Sequence, residues 1–451
     1  MRHSKSVAVL AEMGTGKTLI SIGIAGALFL ENRIKKLLIV APLSIVSVWD
    51  EEFGKFADFD YQLVVLEGST KKKLDALNHM NGSGLQVAVI NYESAWRLET
   101  ELMAWKPDMI ICDESTRIKN PQAKQSKALH RLGKQSKHNL ILTGTPITNN
   151  PLDFFSQYKF LDESIFGSSY YAFRARYAVL GGYGNHQIVG YKNLPELTSK
   201  AHSIAYRITK ADALDLPEQV DVVRNVGIEP KAEMIYKNIE RDSYAELMSG
   251  EVKTTNVLTK LLRLSQATGG YLKDDITGVV EKISNAKLDA LKEIIDDCVD
   301  AGKKVVIFAR FVPEIDGIAS MLKKSGIEYA LIKGDVKDRH EEVRKFQEDD
   351  NVKVFIGQIQ TTGMGLTLTK ADTAVFYSLD FNYSNYEQAR ARIHRIGQVN
   401  KCTYIHLVVP KTIDEKVMSA LKNKKSIADL VVDNWQSLFN GERKSNGGNP
   451  R

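Results

Sequence analysis

Cysteine is scarce: Cys112, Cys298 and Cys402 are all there are in 451 residues, and no two have metal-ligand spacing. That argues against a disulfide framework, predicts no zinc site and points to an intracellular, cytoplasmic chain. No uninterrupted apolar run approaches the ~18 residues that mark a membrane span. The N-terminus lacks a secretory pattern, because the apolar segment 7–11 runs straight into a glycine loop. A large excess of either charge sign is absent too. The net value is +6, from 61 basic and 55 acidic residues, which permits a polyanionic partner without demanding one.

What is present is globular, with 43% hydrophobic and 26% charged residues in a chain long enough for two or three domains. Short apolar runs recur at SVAVLA (6–11), KLLIVAP (36–42), YQLVVLE (61–67), LQVAVINYE (85–93), DMIICDE (108–114) and HNLILTG (138–144). The pattern returns at KKVVIFARF (303–311), EYALIKG (328–334), VKVFIGQ (352–358), TAVFYS (373–378) and CTYIHLVVP (402–410). Helix-like stretches separate the runs, so an α/β class with two buried parallel sheets and right-handed crossovers is expected. Between them, 146–283 is rich in Tyr and Gly at 167–191 and helical at 229–249 and 254–268. The resulting division is a first lobe over 1–225, carrying the start of a helical protrusion, and a protrusion with interlobe linker over 226–283. A second lobe follows over 284–420, then a C-terminal helix and loose tail over 421–451.

The strongest local signal is AEMGTGKT (11–18), which follows a predicted strand and opens a predicted helix, the context of a phosphate-binding loop. Met13, Gly14, Thr15 and Gly16 turn backbone N–H groups toward phosphates, and Lys17 brings charge to the β- and γ-phosphates. The Thr18 hydroxyl can ligate Mg²⁺, and the helix N-terminus adds its dipole. ATP and Mg²⁺ are therefore the expected cofactors. DEST (113–116) ends another predicted strand. In parallel sheets, ligand chemistry sits at the carboxyl ends of strands. Asp113 then holds the Mg²⁺ shell together with Thr18, and Glu114 polarises the attacking water. Alone, such a pair is as often a helix cap or a solvated pair.

Three further motifs are less decisive. LTGTPITNN (142–150) carries Thr143 and Thr145 around Gly144, whose hydroxyls can link the nucleotide site to a bound strand; an ordinary turn at Pro146 fits equally. QARARIHRIGQ (388–398) is predicted to be helical, with Gln388, Arg392 and Arg395 at i, i+4 and i+7 on one face. In an isolated helix this is a solvated basic stripe. Behind a complete hydrolysis site it predicts arginines that reach a γ-phosphate. In QTTGMGLTLTKAD (360–372), Gly363 and Gly365 allow close approach by a ligand or the other lobe, with Gly365 assigned to the nucleotide. Thr361, Thr362 and Thr367 offer hydroxyls to phosphates; a strand-to-helix loop without a ligand is the plainer alternative.

The ordered set resembles the motor of superfamily-two helicases, and within it the Swi/Snf-type DNA translocases. APLSIVSVWDEEF (41–53), VINYE (89–93), DESTRIKN (113–120), LTGTPITNN, RITKADALDLP (207–217) and GLTLTKADTAVFYSLDFNYSNYEQARARIHRIGQ (365–398) carry the likeness, which spans about 5–420. The ending His394-Arg395-Ile396-Gly397-Gln398 is its most diagnostic part. The short spacing is most like compact bacterial, viral or annealing-helicase-like members. The resemblance implies tandem RecA-like lobes, ATP-driven movement on DNA, preferably duplex, and action as a monomer. It also implies nucleic-acid contacts at Pro42, Leu43, Ser44, Asn91, Tyr92, Thr143, Thr145, Arg310, Thr361 and Thr367. A strand-separating helicase, or a nucleic-acid-binding protein with an impaired ATPase, are the alternatives. Two departures stand out. The family's adenine-reading glutamine upstream of the phosphate loop has no counterpart before Gln62, and Ser115-Thr116 stand where the family has Ala-His.

Overall fold

The computed structural model describes residues 4–182, 184, 187–249, 254–274, 277–334, 336, 338–362 and 366–428. The chain divides into two compact units, Met1–Leu214 with Lys424–Arg451, and Asp215–Asn423.

The first unit is built on strands β1 (Ser6–Ala11), β2 (Lys36–Ala41), β3 (Tyr61–Val65), β4 (Leu85–Asn91), β5 (Met109–Asp113) and β6 (His138–Thr143). An antiparallel hairpin of β7 (Ala178–Gly181) and β8 (Gln187–Tyr191) follows, then β9 (Ala205–Ile208). The main sheet runs β3-β4-β2-β5-β6-β1-β9, and every neighbouring pair is parallel. Side chains alternate across it. Leu10, Val40 and Cys112 enter the core on one face, and Val9, Ile39 and Ile111 enter the core on the other. With helices on both faces, the central strands are apolar throughout instead of alternating with polar residues.

The second unit repeats the plan. It holds β10 (Gln219–Asn225), a small hairpin of β11 (Tyr271–Lys273) and β12 (Val280–Lys282), and β13 (Lys304–Ala309). β14 (Tyr329–Ile332), β15 (Val354–Gln358), β16 (Ala371–Phe376) and β17 (Cys402–Val408) complete it. Its sheet runs β10-β17-β16-β13-β15-β14, again parallel. All eleven apolar runs singled out in the sequence are strands of these two sheets.

The boundary expected after residue 225 is corrected. β10 pairs residue for residue with β17, from Gln219 opposite Cys402 to Asn225 opposite Val408, so 219–225 belong to the second unit. Residues 146–283 are also not simply helical. The helices Pro230–Ser249 and Thr254–Thr268 are there, but the region also supplies an edge strand to each sheet. The C-terminal helix begins at Ile413, inside the span assigned to the second lobe, and the loose tail lies outside the described residues. Among the described residues no helix is long and apolar enough to cross a membrane.

A buried polar knot ties the second unit together. Lys287 Nζ meets Asp414 Oδ2 at 2.8 Å and donates to the Tyr377 carbonyl at 3.0 Å. Glu314, fully buried, caps its own helix, with Oε2 accepting from the Phe311 N–H at 3.1 Å and from the Ser378 hydroxyl. Burial pushes its carboxyl up from 4.5 to about 7, against the Ser378 and Phe311 hydrogen bonds and the charge of Lys287. Between those two values the folded state holds a proton that the unfolded chain has released. This group's contribution to stability therefore falls as pH rises through that window. Glu314→Gln should remove the slope, so the variant gains on wild type between about pH 5 and about pH 8 in thermal melts. A constant offset at both pH values would show that Glu314 does not titrate there.

Candidate nucleotide site and its flanking loops

The strand β1 ends in a loop with Gly14 at φ 84° and Gly16 at φ 82°, both left-handed, before the helix Lys17–Leu30. Only glycine adopts that geometry cheaply, and two such residues let successive N–H groups converge on an anion. Lys17 Nζ rests on the carbonyls of Ala11 (3.1 Å) and Glu12 (3.3 Å), the wall of the loop it would leave to meet a phosphate. Thr15 closes the loop, its N–H and hydroxyl both donating to the Glu12 carbonyl. Met13 and Thr18 lie half-buried beside them.

β5 delivers Asp113 and Glu114 to the same edge of the sheet. Asp113 is buried; Oδ2 accepts from the Trp49 indole at 3.2 Å and Oδ1 from the Glu114 N–H at 2.9 Å. Burial first, then the charge of Glu114, pushes its carboxyl up to about 7, while Lys17 pulls the other way. Glu114 has φ 51°, a left-handed conformation that a non-glycine residue occupies at a cost of about 1–3 kcal/mol and that clusters at functional sites. Its Oε2 is buried with no hydrogen-bond partner. A buried Asp113 carboxylate next to Glu114 with its orphaned oxygen fits a hard oxygen-liganded cation such as Mg²⁺.

The loops on either side are tied to this centre. A Cβ on Gly144 would lie 3.2 Å from the Ala11 carbonyl oxygen and 3.3 Å from the Met13 nitrogen, so the turn after β6 lies close against the glycine loop and a side chain there would crowd it. Thr143 is fully buried and its hydroxyl accepts from the Thr145 N–H at 3.1 Å. Ser115, where the resembled family has alanine, donates to Gln157 Oε1 at 2.7 Å. The Gln157 amide then donates to the carbonyls of Pro146 (2.8 Å) and Asp153 (2.9 Å), linking the carboxylate turn to the threonine loop.

The expected nucleic-acid contacts separate into two groups. Leu43 and Ser44 are exposed on the turn Leu43–Ile45 after β2, and Thr145, Arg310, Thr361 and Thr367 are half-buried. Tyr92 and Thr143 are corrected: both are fully buried, and the Tyr92 hydroxyl donates to the Asp113 carbonyl at 2.7 Å, so they position the site and do not meet a phosphate. Asn91 and Pro42 are also buried, with the Asn91 amide donating to Glu93 at 3.0 Å.

In the second unit the expected helix over 388–398 is corrected. The helix Tyr383–Arg390 stops there, and residues 391–398 run in tight turns, so Gln388, Arg392 and Arg395 do not share a helical face. Tertiary hydrogen bonds outcompete helix propensity. Arg392 Nε donates to the Gln388 carbonyl at 3.0 Å, capping the helix end. Arg392 and Arg395 each send Nη1 to the Leu366 carbonyl at 3.1 Å, and Leu368 N–H returns to the Arg392 carbonyl at 3.0 Å. The two arginines are thus brought together on the 366–368 segment, Arg392 buried and Arg395 half-buried. Gln388 is buried, its amide 3.4 Å from the Ser384 hydroxyl. Gly365 and Gly363, and the side chain of Thr362, lie outside the described residues.

Sequence reasoning gave no role to Trp49, Gln157, Glu12 or Arg207. Trp49 had a signal, a tryptophan at fixed distance from Ala41-Pro42. The others act through side-chain contacts across 42 and 195 residues of chain, which no local pattern reveals.

The family described as SNF2-related domain matches residues 2–269, and the helicase conserved C-terminal domain matches 286–397. The chain is 29% identical to the CHD3-type chromatin-remodeling factor CHR7 of Arabidopsis thaliana, over 95% of this chain and 36% of that protein. It is 26% identical to the DNA repair and recombination protein RAD54-like of Danio rerio, over 95% of this chain and 64% of that one. It therefore spans less than two thirds of either relative. A solved Sulfolobus solfataricus SWI2/SNF2 ATPase core in complex with dsDNA is 26% identical, with 97% of this chain and 91% of that chain covered and a TM-score of 0.42.

Ser115→Ala would leave the buried Gln157 oxygen without its donor. Urea denaturation should show the first unit destabilised by about 1–3 kcal/mol. An unchanged midpoint would mean that the Ser115–Gln157 contact contributes nothing to the turn.

Proposed function

This chain belongs to the SNF2-related family, and from that premise we propose that it is an ATP-driven motor that moves on DNA, duplex in preference to single strands. The observation that carries the proposal is the edge of the first sheet. A doubly left-handed glycine loop with Lys17 stands beside a buried Asp113 and a Glu114 with an unsatisfied oxygen. Lys17 holds the β- and γ-phosphates, and the N–H groups of residues 13–18 hold the remaining phosphate oxygens. Mg²⁺ would be held by Thr18 and Asp113 and supplies positive charge to the phosphate oxygens when bound. Glu114 orients the attacking water and takes its proton.

Turnover in this reading requires Arg395, and Arg392 behind it, to reach the γ-phosphate from the second unit. Arg392 binds the Gln388 and Leu366 carbonyls and is buried, and Arg395 shares the Leu366 carbonyl and is half-buried, so Arg395 is the more exposed of the two. Gln388 supports the segment, and Gly365 lies at the nucleotide. Repeated closing and opening of the two units moves two grips along DNA phosphates, at Leu43, Ser44 and Thr145 on one unit and Arg310, Thr361 and Thr367 on the other. Phosphate contacts carry no sequence information, as a motor that must pass any sequence requires. The relative named for DNA repair supports DNA as the track. Lys17 and Arg395 are carried by one chain, so in this reading a monomer suffices.

Phosphate release measured with duplex DNA, single-stranded DNA and RNA side by side should be stimulated most by duplex and should weaken as salt rises. Lys17→Ala should abolish it. Glu114→Gln should lower it by about 10²–10⁴ while nucleotide stays bound. Arg395→Ala should lower it by about 10³ or more. Turnover indifferent to every nucleic acid would overturn the motor reading, and normal turnover in Arg395→Ala would overturn the finger assignment.

A further inference from the structure

Glu12 precedes the glycines of the phosphate loop and has no role in the chemistry described above, yet three kinds of contact converge on it. Its carbonyl accepts from Lys17 Nζ at 3.3 Å and from the Thr15 hydroxyl at 2.8 Å, on the loop side. Its N–H donates to the Ile208 carbonyl at 3.0 Å. Its carboxylate faces the opposite way: Oε1 meets Arg207 Nη2 at 3.1 Å and Oε2 accepts the Lys210 N–H at 2.9 Å. Arg207 also donates Nη1 to the Leu10 carbonyl at 3.0 Å, so β9 and the turn after it are locked to the strand that carries the loop.

The chain leaving this lock is short. The turn Lys210–Ala213 is made rigid by a capping box between Thr209 and Asp212, and only Leu214, Asp215 and Leu216 separate it from Pro217. At Pro217 the second unit takes hold, with the carbonyl accepting from His394 Nε2 at 2.9 Å. Glu218 and Gln219 continue that grip, through the Cys402 N–H at 2.9 Å and Arg390 Nη2 at 3.1 Å. Arg390 also ion-pairs with Asp221 and sits 3.9 Å over the Tyr404 ring. His394 is the residue before Arg395. One continuous segment, 207–221, is therefore fastened at its start to the phosphate loop and at its end to the arginine segment.

We propose that Glu12 is the coupling residue of this strap: its carboxylate makes residues 207–213 follow the phosphate loop, so that a shift of the loop is delivered through Leu214–Leu216 to the arginine segment. The inference rests on the motor reading above and adds a positioning residue to it. When Lys17 swings from the Ala11 and Glu12 carbonyls to a phosphate, the loop backbone at Glu12 loses a partner on one side and keeps the strap on the other. The strap is then pulled or released with nucleotide occupancy.

The test separates binding from turnover. Glu12→Ala should change the dissociation constant for a fluorescent ATP analogue by less than about threefold, while duplex-stimulated kcat falls by about tenfold or more. Glu12→Gln keeps an acceptor oxygen and should recover most of the rate. Arg207→Gln cuts the same contact from the strap side and should give the same split, which keeps the proposal testable should Glu12→Ala fold poorly. Loss of nucleotide affinity in proportion to turnover would overturn it and make Glu12 a loop-shaping residue only. Normal kinetics in both Glu12→Ala and Arg207→Gln would overturn it outright while leaving the motor reading intact. A wild-type protein whose turnover ignores every nucleic acid would bring down the motor reading, and the inference with it.

Discussion

Asp113 ends a strand whose five residues are all buried, with the carboxylate of Glu114 next to it, and the contacts around the pair answer to that electrostatic cost. A carboxylate taken out of water is held ionised only by hydrogen bonds and opposite charge. Asp113 has two neutral donors, the Trp49 indole and the Glu114 N–H, and the influence of Lys17. These leave its proton affinity high. Glu114 adds backbone strain and an unpaired oxygen. A site in this condition gains more from a dication and a polyphosphate than a satisfied site would, since the ligand relieves a cost already incurred in folding. The buried tyrosine and serine beside the pair, Tyr92 and Ser115, spend their hydroxyls on backbone and amide groups and leave the carboxylates to the ligand.

The second unit solves a different problem with the same sheet. At the segment 392–395 two guanidinium groups, Arg392 and Arg395, converge on the Leu366 carbonyl, each through Nη1 at 3.1 Å. The contrast with Arg390 is instructive. That side chain, two residues before Arg392, is stacked on Tyr404 and paired with Asp221, and it anchors β10. In one stretch of six residues, one arginine ties in β10 and two meet at the 366–368 segment.

How much of this was legible in the sequence follows from where the signal lies. The glycine loop and the central strands are local: a run of five or six buried apolar residues, or two glycines before a lysine, needs no partner to be recognised. β9 and β10 were missed because they are edge strands whose sequences mix polar with apolar residues: AYRI has only four residues and QVDVVRN is mostly exposed. Without β10 the boundary fell a strand too late. The helix over 388–398 was overextended because Ala, Arg, Gln and Ile are all acceptable helix formers. What ends the helix is the Arg392 side chain reaching back to the Gln388 carbonyl and across to Leu366, a tertiary event. Tyr92 was assigned to nucleic acid by resemblance and Thr143 by its hydroxyl in the loop after β6 as well, and both are fully buried.

The position of β1 explains why sequence-distant loops gather around the glycine loop. It lies between β6 and β9 in the sheet, and all three strands run parallel, so the turns that follow them emerge at the same edge. On one flank Gly144 lets the turn after β6 lie against Ala11 and Met13; on the other, Arg207 and Lys210 hold Glu12. The phosphate loop is thereby bracketed by two segments, one leading to Gln157 and the carboxylate turn, the other to Pro217 and the second unit. Moving β1 to the edge of the sheet would remove one bracket. An open edge would leave the loop able to bind a triphosphate but with nothing to push against. The strand order, more than any single side chain, puts the glycine loop between its two flanking turns.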